Sequence, residues 1–164
     1  MIEPFDERRH AREDFSCGVE SLDQYLRVRA RQERDKFVAT VFVMAAGVSI
    51  LGYYTLSAYA IDPGELPPDV ARRLPRYPRL PATLIGRLAV DLRHHGKGLG
   101  EALLMDALQR SYEASAEVGS VAVVVDAEND RAVGFYRSYG LIDFPDHRAK
   151  LFLPMSTIRA LVRK

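Results

Sequence analysis

Hydrophobic positions Leu22, Tyr25, Leu26 and Ala30 recur at helical spacing in a segment that opens at Ser21, while Arg27, Arg31 and Arg34 occupy its other face. The pattern then changes. Residues 37–46 and 49–60 are rich in β-branched and aromatic side chains, with Gly47 in the short break between them, and they read as an antiparallel hairpin. Residues 62–81 hold six prolines, which deny backbone donors to a central sheet, so a loop is predicted there with at most one turn of helix at 69–74.

Apolar character returns in a strand at 83–92, an amphipathic helix at 99–117 and an almost wholly apolar strand at 121–125. A further helix is predicted from Asn129, as its cap, to about Tyr139, with Gly140 ending it. Residues 150–153 form a final short strand. No repeat, low-complexity tract or linker interrupts this order, which predicts one mixed α/β domain over residues 1–164.

Composition narrows the class only a little. At 164 residues, 48% hydrophobic and 27% charged, the chain is long enough to bury a core without a metal or disulfide staple. The single cysteine, Cys17, excludes an internal disulfide and a multi-cysteine zinc site, and no metal is expected. With no placed base beside it, Cys17 reads as a small residue ahead of a helix. The start, Met1-Ile2-Glu3-Pro4-Phe5-Asp6, lacks the basic and apolar stretches of a signal peptide, and no run is apolar enough to span a membrane. A cytoplasmic protein is expected.

Charge changes the picture more. The formal net charge is +1, yet residues 70–90 carry Arg72, Arg73, Arg76, Arg79 and Arg87 and no acid. Such a run is either a solvated surface or a face for an anionic partner.

Gly96, Gly98 and Gly100 lie between a buried strand and the first turn of a long helix, whose leading amides have no intrahelical partners. Glycines admit close approach of an anion, and the helix dipole adds about 0.3–1 kcal/mol of attraction. A nucleoside-triphosphate loop would end in Gly-Lys-Ser or Gly-Lys-Thr, whereas Lys97 is followed by Gly98 and Leu99. A dinucleotide loop would follow a first strand near the N-terminus; Asp126 is about the right distance on, but the third glycine falls one position early.

The remaining pattern is Arg-x-x-Gly-x-Gly in Arg93-His94-His95-Gly96-Lys97-Gly98, followed after the next strand by Asn129-x-x-Ala132-x-x-Phe135-Tyr136-x-x-x-Gly140. With these two motifs in order, the sequence resembles the GNAT superfamily of acetyl-CoA-dependent N-acetyltransferases. Phe15-x-Cys17-Gly18-x-x-x-Leu22-Asp23-x-Tyr25-Leu26, Gly52-Tyr53-Tyr54-Thr55-Leu56-Ser57, Arg72-Arg73-Leu74-Pro75-Arg76-Tyr77-Pro78 and Leu151-Phe152-Leu153-Pro154-Met155 are similar to a narrower branch. That branch holds the toxins of bacterial toxin–antitoxin pairs that acetylate the amino acid on charged tRNA. Leu141, where the family has phenylalanine, and Asp146-His147-Arg148-Ala149, in place of a more proline-rich approach, depart from it and bear on the acceptor pocket.

The resemblance implies the GNAT fold, an α/β arrangement with a central, mostly antiparallel sheet, a splayed parallel strand pair and flanking helices. It implies acetyl-CoA as donor, with the pantetheine arm on the backbone of Leu88, Ala89 and Val90 and the pyrophosphate in the loop His95, Gly96, Lys97, Gly98, Leu99 and Gly100. Arg93 and Lys97 add charge, and Asn129 bonds the pantetheine arm besides capping its helix. Tyr136 is the implied catalytic residue, since a phenol with pKa near ~10 can hydrogen-bond or protonate a departing thiolate whose thiol sits near ~8.5. Phe135 and Tyr139, four apart, share one helical face as buried aromatics do, and Tyr136 falls on a neighbouring face.

No glutamate or histidine presents itself as a base for the attacking amine, and His94 and His95 read mainly as loop amide donors. A lysine amine is neutral in only about one molecule in two thousand at pH 7, an α-amine in roughly a tenth, so the missing base favours an α-amine acceptor. On charged tRNA, Arg27, Arg31, Arg72, Arg73, Arg76 and Arg79 become phosphate contacts with Tyr77 available for stacking. Two other readings stand beside this one: a housekeeping acetyltransferase of a small amine, peptide or protein terminus, and a non-catalytic acyl-CoA-binding module. The resemblance further implies a homodimer and a small DNA-binding antitoxin as partner.

Overall fold

The computed structural model describes residues 1–163. In chain order the elements are β1 (Ile2–Pro4), α1 (Glu20–Gln24), a π-helical turn (Tyr25–Arg29), α2 (Ala30–Asp35), β2 (Thr40–Ala46), β3 (Ser49–Ile61), α3 (Pro68–Ala71), β4 (Leu80–Val90), α4 (Leu99–Ala114), β5 (Ala122–Asp126), α5 (Asp130–Ser138), β6 (Ile142–Asp143), β7 (Lys150–Pro154) and α6 (Met155–Val162). The strands follow the order β1-β2-β3-β4-β5-β7-β6. The sheet is mostly antiparallel with one parallel pair. Neighbours β4 and β5 are joined through α4, the helical crossover a parallel pair requires.

The described residues divide into two compact units, residues 1–57 with 85–107 and residues 58–84 with 108–163. In the first, β2 and β3 pair from Thr40↔Leu56 to Met44↔Gly52, then slip by one residue at Met44/Ala45. Gly47, at φ 63, makes the turn. The predicted hairpin is therefore present, but it begins at Thr40 rather than Phe37. Phe37 has φ 62 and is 96% exposed, ending the preceding helix instead of opening a strand. The four periodic positions Leu22, Tyr25, Leu26 and Ala30 are all buried, in a cluster with Phe5, Phe15, Val41, Val43, Tyr53 and Ala89. Tyr53 donates its hydroxyl hydrogen to the Leu22 carbonyl at 2.6 Å, tying the hairpin to the helical segment.

In the second unit, β7 lies antiparallel between β5 and β6, with Val124↔Phe152 at the centre of the β5 register. Ile61, Leu66, Leu80, Val124, Phe144 and Phe152 form its core, and Val70, Ala71 and Leu74 of the proline-rich segment pack against it. That segment is thus anchored, and it holds two short helical turns where at most one, at 69–74, was predicted: a 3₁₀ turn at Pro63–Glu65, capped by Asp62, and α3. β4 starts three residues earlier than the sequence suggested, because Pro81 needs no donor there and its carbonyl accepts from Val121 N at 2.8 Å. Leu92, the predicted last residue of that strand, instead opens a short 3₁₀ turn, Leu92–His94, with Asp91 as its cap.

Candidate active site

Gly96 and Gly98 both sit at φ 78, a left-handed conformation that side chains disfavour, and a Cβ on either would meet nothing within 4 Å. Glycine is needed here for the backbone path rather than for space. The Gly98 carbonyl accepts from Ala102 N at 3.2 Å, so α4 begins immediately after it and its leading amides open onto an exposed loop. Side chains brace that loop. His95 Nε2 donates to the Val90 carbonyl at 2.7 Å, and Lys97 Nζ lies 3.1 Å from His94 Nδ1, which accepts. Leu99 and Gly100 are half-buried at the helix start.

One participant escaped the sequence reading. Asp91, 1% exposed, accepts from Ser16 N, Arg93 N and the Arg93 guanidinium. Arg93's side-chain hydrogen bonds, ahead of the opposing effect of burial, hold the carboxyl down at about 2. The available signal was an aspartate between an apolar strand and a turn, two residues before an arginine. Arg93 is therefore not a free cation: its guanidinium is shared with Asp91, although it remains 63% exposed.

Leu88 and Val90 are half-buried while Ala89 points into the first core, as strand alternation requires. Ala89 also has a close neighbour. A Cβ on Gly52 would lie 2.8 Å from the Ala89 carbonyl oxygen and 2.7 Å from Leu103 Cδ1, so only glycine lets β3, β4 and α4 approach this closely.

Asn129 caps α5 as predicted, its Oδ1 accepting from Ala132 N at 2.9 Å, and Gly140 ends that helix at φ 90. Phe135 and Tyr139 do share a face, with ring centroids 5.1 Å apart, but both are only half-buried. Tyr136 is the buried aromatic, 3% exposed. Its hydroxyl makes no hydrogen bond to any described residue. Burial first, then the carboxylates of Asp126 and Glu128, raise its pKa, so the phenol stays protonated.

The arginines separate into two sets. Arg27 pairs with Glu20 at 3.8 Å, and Arg31 lies 3.4 Å from Glu7 and 3.8 Å from Asp35. Arg72, Arg73, Arg76 and Arg79 are exposed and have no ion pair among the described residues, with Tyr77 between them 63% exposed. Cys17 is buried and in no disulfide, and burial pushes its thiol up to about 12, which disfavours the reactive thiolate. Among the described residues no cluster of three His, Cys, Asp or Glu could hold a metal, and no helix is long and apolar enough to cross a membrane.

Residues 8–141 match the acetyltransferase (GNAT) family. A "probable toxin TacT" of Sinorhizobium fredii is 31% identical, covering 99% of this chain and 94% of that protein. A "tRNA-acetylating toxin" of Mycobacterium tuberculosis is 35% identical, covering 90% and 88%. Among solved structures, a mutant of KacT superposes with a TM-score of 0.91 at 30% identity, covering 98% of each chain. AtaT complexed with acetyl-methionyl-tRNAfMet gives 0.89 at 28%, covering 99% and 98%. A mutant AtaT toxin bound to the C-terminus of the antitoxin AtaR and acetyl-CoA gives 0.85 at 25%, covering 100% and 98%.

Proposed function

This chain belongs to the acetyltransferase (GNAT) family, and we propose that it transfers an acetyl group from acetyl-CoA to the α-amine of aminoacyl-tRNA, acting as a toxin that blocks translation. An acetylated amine has lost its nucleophilic lone pair to the amide and cannot attack a peptidyl ester. The observation that carries the reading is likeness over nearly the whole chain to a protein named a tRNA-acetylating toxin and to AtaT complexed with acetyl-methionyl-tRNAfMet. The arginines of the proline-rich segment, which have no ion pair among the described residues, support it, because they offer phosphate contacts that need not first be freed from an acid. Arg27 and Arg31 join them by exchanging exposed ion pairs that are worth little.

Acetyl-CoA brings the acetyl group as an activated thioester. The chain's own parts divide the work. The left-handed glycines and the leading amides of α4 suit a pyrophosphate, which binds the backbone of His95 to Gly100 with Lys97 alongside. Leu88, Ala89 and Val90 hold the pantetheine arm along β4 and polarise the thioester carbonyl; one such donor is typically worth about 2.7–4 kcal/mol. Asn129, whose Oδ1 is spent on its cap, presents its amide hydrogens to the same arm.

Tyr136 gives its proton to the sulfur as the thiolate departs. Its uncommitted hydroxyl and raised pKa support that role, since the proton is retained until a strong acceptor forms. No residue is assigned as the base for the amine, which at an α-amine pKa of ~7.7–8.0 is neutral in roughly a tenth of molecules at pH 7. By likeness to the AtaT complex with AtaR, the chain is neutralised by a small antitoxin. Incubation with radiolabelled acetyl-CoA and charged tRNA, uncharged tRNA, polyamines or peptides tests the reading. Label confined to charged tRNA supports it, and label confined to any other acceptor overturns it.

A further inference from the structure

Arg87 is the one arginine of the acid-free run that is not on the exposed segment. It lies on β4, directly before Leu88, half-buried, with its Cζ 3.7 Å from the centroid of the Tyr25 ring. Tyr25 is itself held on two sides: its ring stacks on Tyr53 at 6.2 Å and 10°, and its hydroxyl donates to Glu33 Oε1 at 3.0 Å. The guanidinium thus lies over a ring that is itself buried with Tyr53 in the core of the first unit. Yet it makes no hydrogen bond or ion pair to any described residue.

That combination is unusual for a half-buried arginine. A guanidinium has five donors, and withdrawing it partly from water without an anion costs more than the ring contact returns. The ring contact anchors the guanidinium and leaves its donors unspent, which suits an oxyanion.

We infer that Arg87 binds a phosphate of the acceptor, in the terminal nucleotides of charged tRNA adjoining the aminoacyl ester. This rests on the proposed acetyl transfer to aminoacyl-tRNA. The ester itself carries no negative charge, so the anions nearest the reacting amine are the phosphodiesters of the last nucleotides. Leu88, one residue beyond Arg87, is given to the donor arm in the proposed function, so an arginine here would register the acceptor's end rather than its body. The exposed arginines hold the body of the RNA; Arg87 positions the end.

Acetyl-CoA also carries phosphates, and the test separates the two sources. Steady-state transfer to charged tRNA is measured for wild type, Arg87→Ala and Arg87→Lys across a salt series, and acetyl-CoA binding is measured calorimetrically for each. Arg87→Ala is expected to raise KM for charged tRNA about tenfold, the scale of one charge-assisted hydrogen bond. The slope of log KM against log salt should fall by about 0.7, the value for one single-strand phosphate contact. Arg87→Lys should recover the slope and part of the KM. An unchanged slope in Arg87→Ala overturns the assignment and leaves acetyl transfer standing, and weakened acetyl-CoA binding with unchanged KM for tRNA moves the guanidinium to the donor and overturns it too. A wild type that labels no charged tRNA overturns the proposed function and this inference with it.

Discussion

The Arg93 guanidinium grips the buried carboxylate of Asp91 with two hydrogen bonds, Nε to Oδ1 at 2.9 Å and Nη2 to Oδ2 at 3.1 Å. The same carboxylate takes the backbone amides of Ser16 and Arg93, so one side chain ties the segment before α1 to the turn that leads into the glycine loop. Arg93 therefore shapes the loop as much as it charges it.

Asp91→Asn should cost about 2 kcal/mol of stability at pH 7, the equivalent of the depression of its pKa from 3.8 to about 2. A depressed carboxyl contributes above its unfolded pKa and ceases to as pH falls through its folded one. Urea titrations should show the gap to wild type closing between about pH 4 and pH 2. A gap constant over that window would contradict the ion pair's role.

Tyr136→Phe removes only a hydroxyl that has no hydrogen-bond partner among the described residues, so folding and acetyl-CoA affinity should change little, the latter by less than about twofold. Turnover should fall at least ~10²-fold, the lower end for loss of a general acid. Pre-steady-state transfer with calorimetry checks both, and turnover within threefold of wild type removes Tyr136 from the chemistry.

Gly98→Ala and Gly52→Ala should fail differently. At Gly98 the obstacle is the backbone at φ 78 with open space around it, so a cost of about 1–2 kcal/mol falls on the loop, and acetyl-CoA binds more weakly while the core stays intact. At Gly52 the new methyl meets the Ala89 carbonyl oxygen, which cannot swing away, and global stability should drop by about 1–3 kcal/mol. Thermal unfolding beside binding separates them; equal Tm losses would refute the distinction.

Replacing Arg72, Arg73, Arg76 and Arg79 together by alanine should raise KM for charged tRNA and flatten its salt dependence by about 0.7–0.9 per lost contact, without altering acetyl-CoA binding. The pair Arg27 and Arg31, already engaged with Glu20, Glu7 and Asp35, should give a smaller change. A larger effect from the paired arginines reverses the assignment of the RNA face.

Much of this was legible because period and punctuation agreed. Leu22, Tyr25, Leu26 and Ala30 marked a buried face, Gly47 a hairpin turn, Asn129 and Gly140 the two ends of α5. Elements too short to show a period were missed: β1 and β6 have three and two residues, and α6 begins directly after Pro154 with no side-chain cap to announce it. Phe37 misled because an aromatic residue beside β-branched ones reads as strand, whereas its left-handed backbone ends a helix in solvent. Period also placed Phe135 and Tyr139 correctly together, yet only packing decides which face is covered, and it covers Tyr136. The contact of Asp91 with Ser16 and that of Arg87 with Tyr25 span 75 and 62 positions in sequence, which no local pattern records.

The most direct test digests charged tRNA with nuclease after incubation with the protein and acetyl-CoA, then locates the acetyl group in the released aminoacyl-adenosine by tandem mass spectrometry. The acetyl group is expected on the α-nitrogen of the amino acid, absent when Tyr136→Phe replaces wild type for the same short time. Acetyl found on a side-chain amine or on the nucleotide, or aminoacyl-adenosine left wholly unmodified by the wild-type protein, would contradict the account.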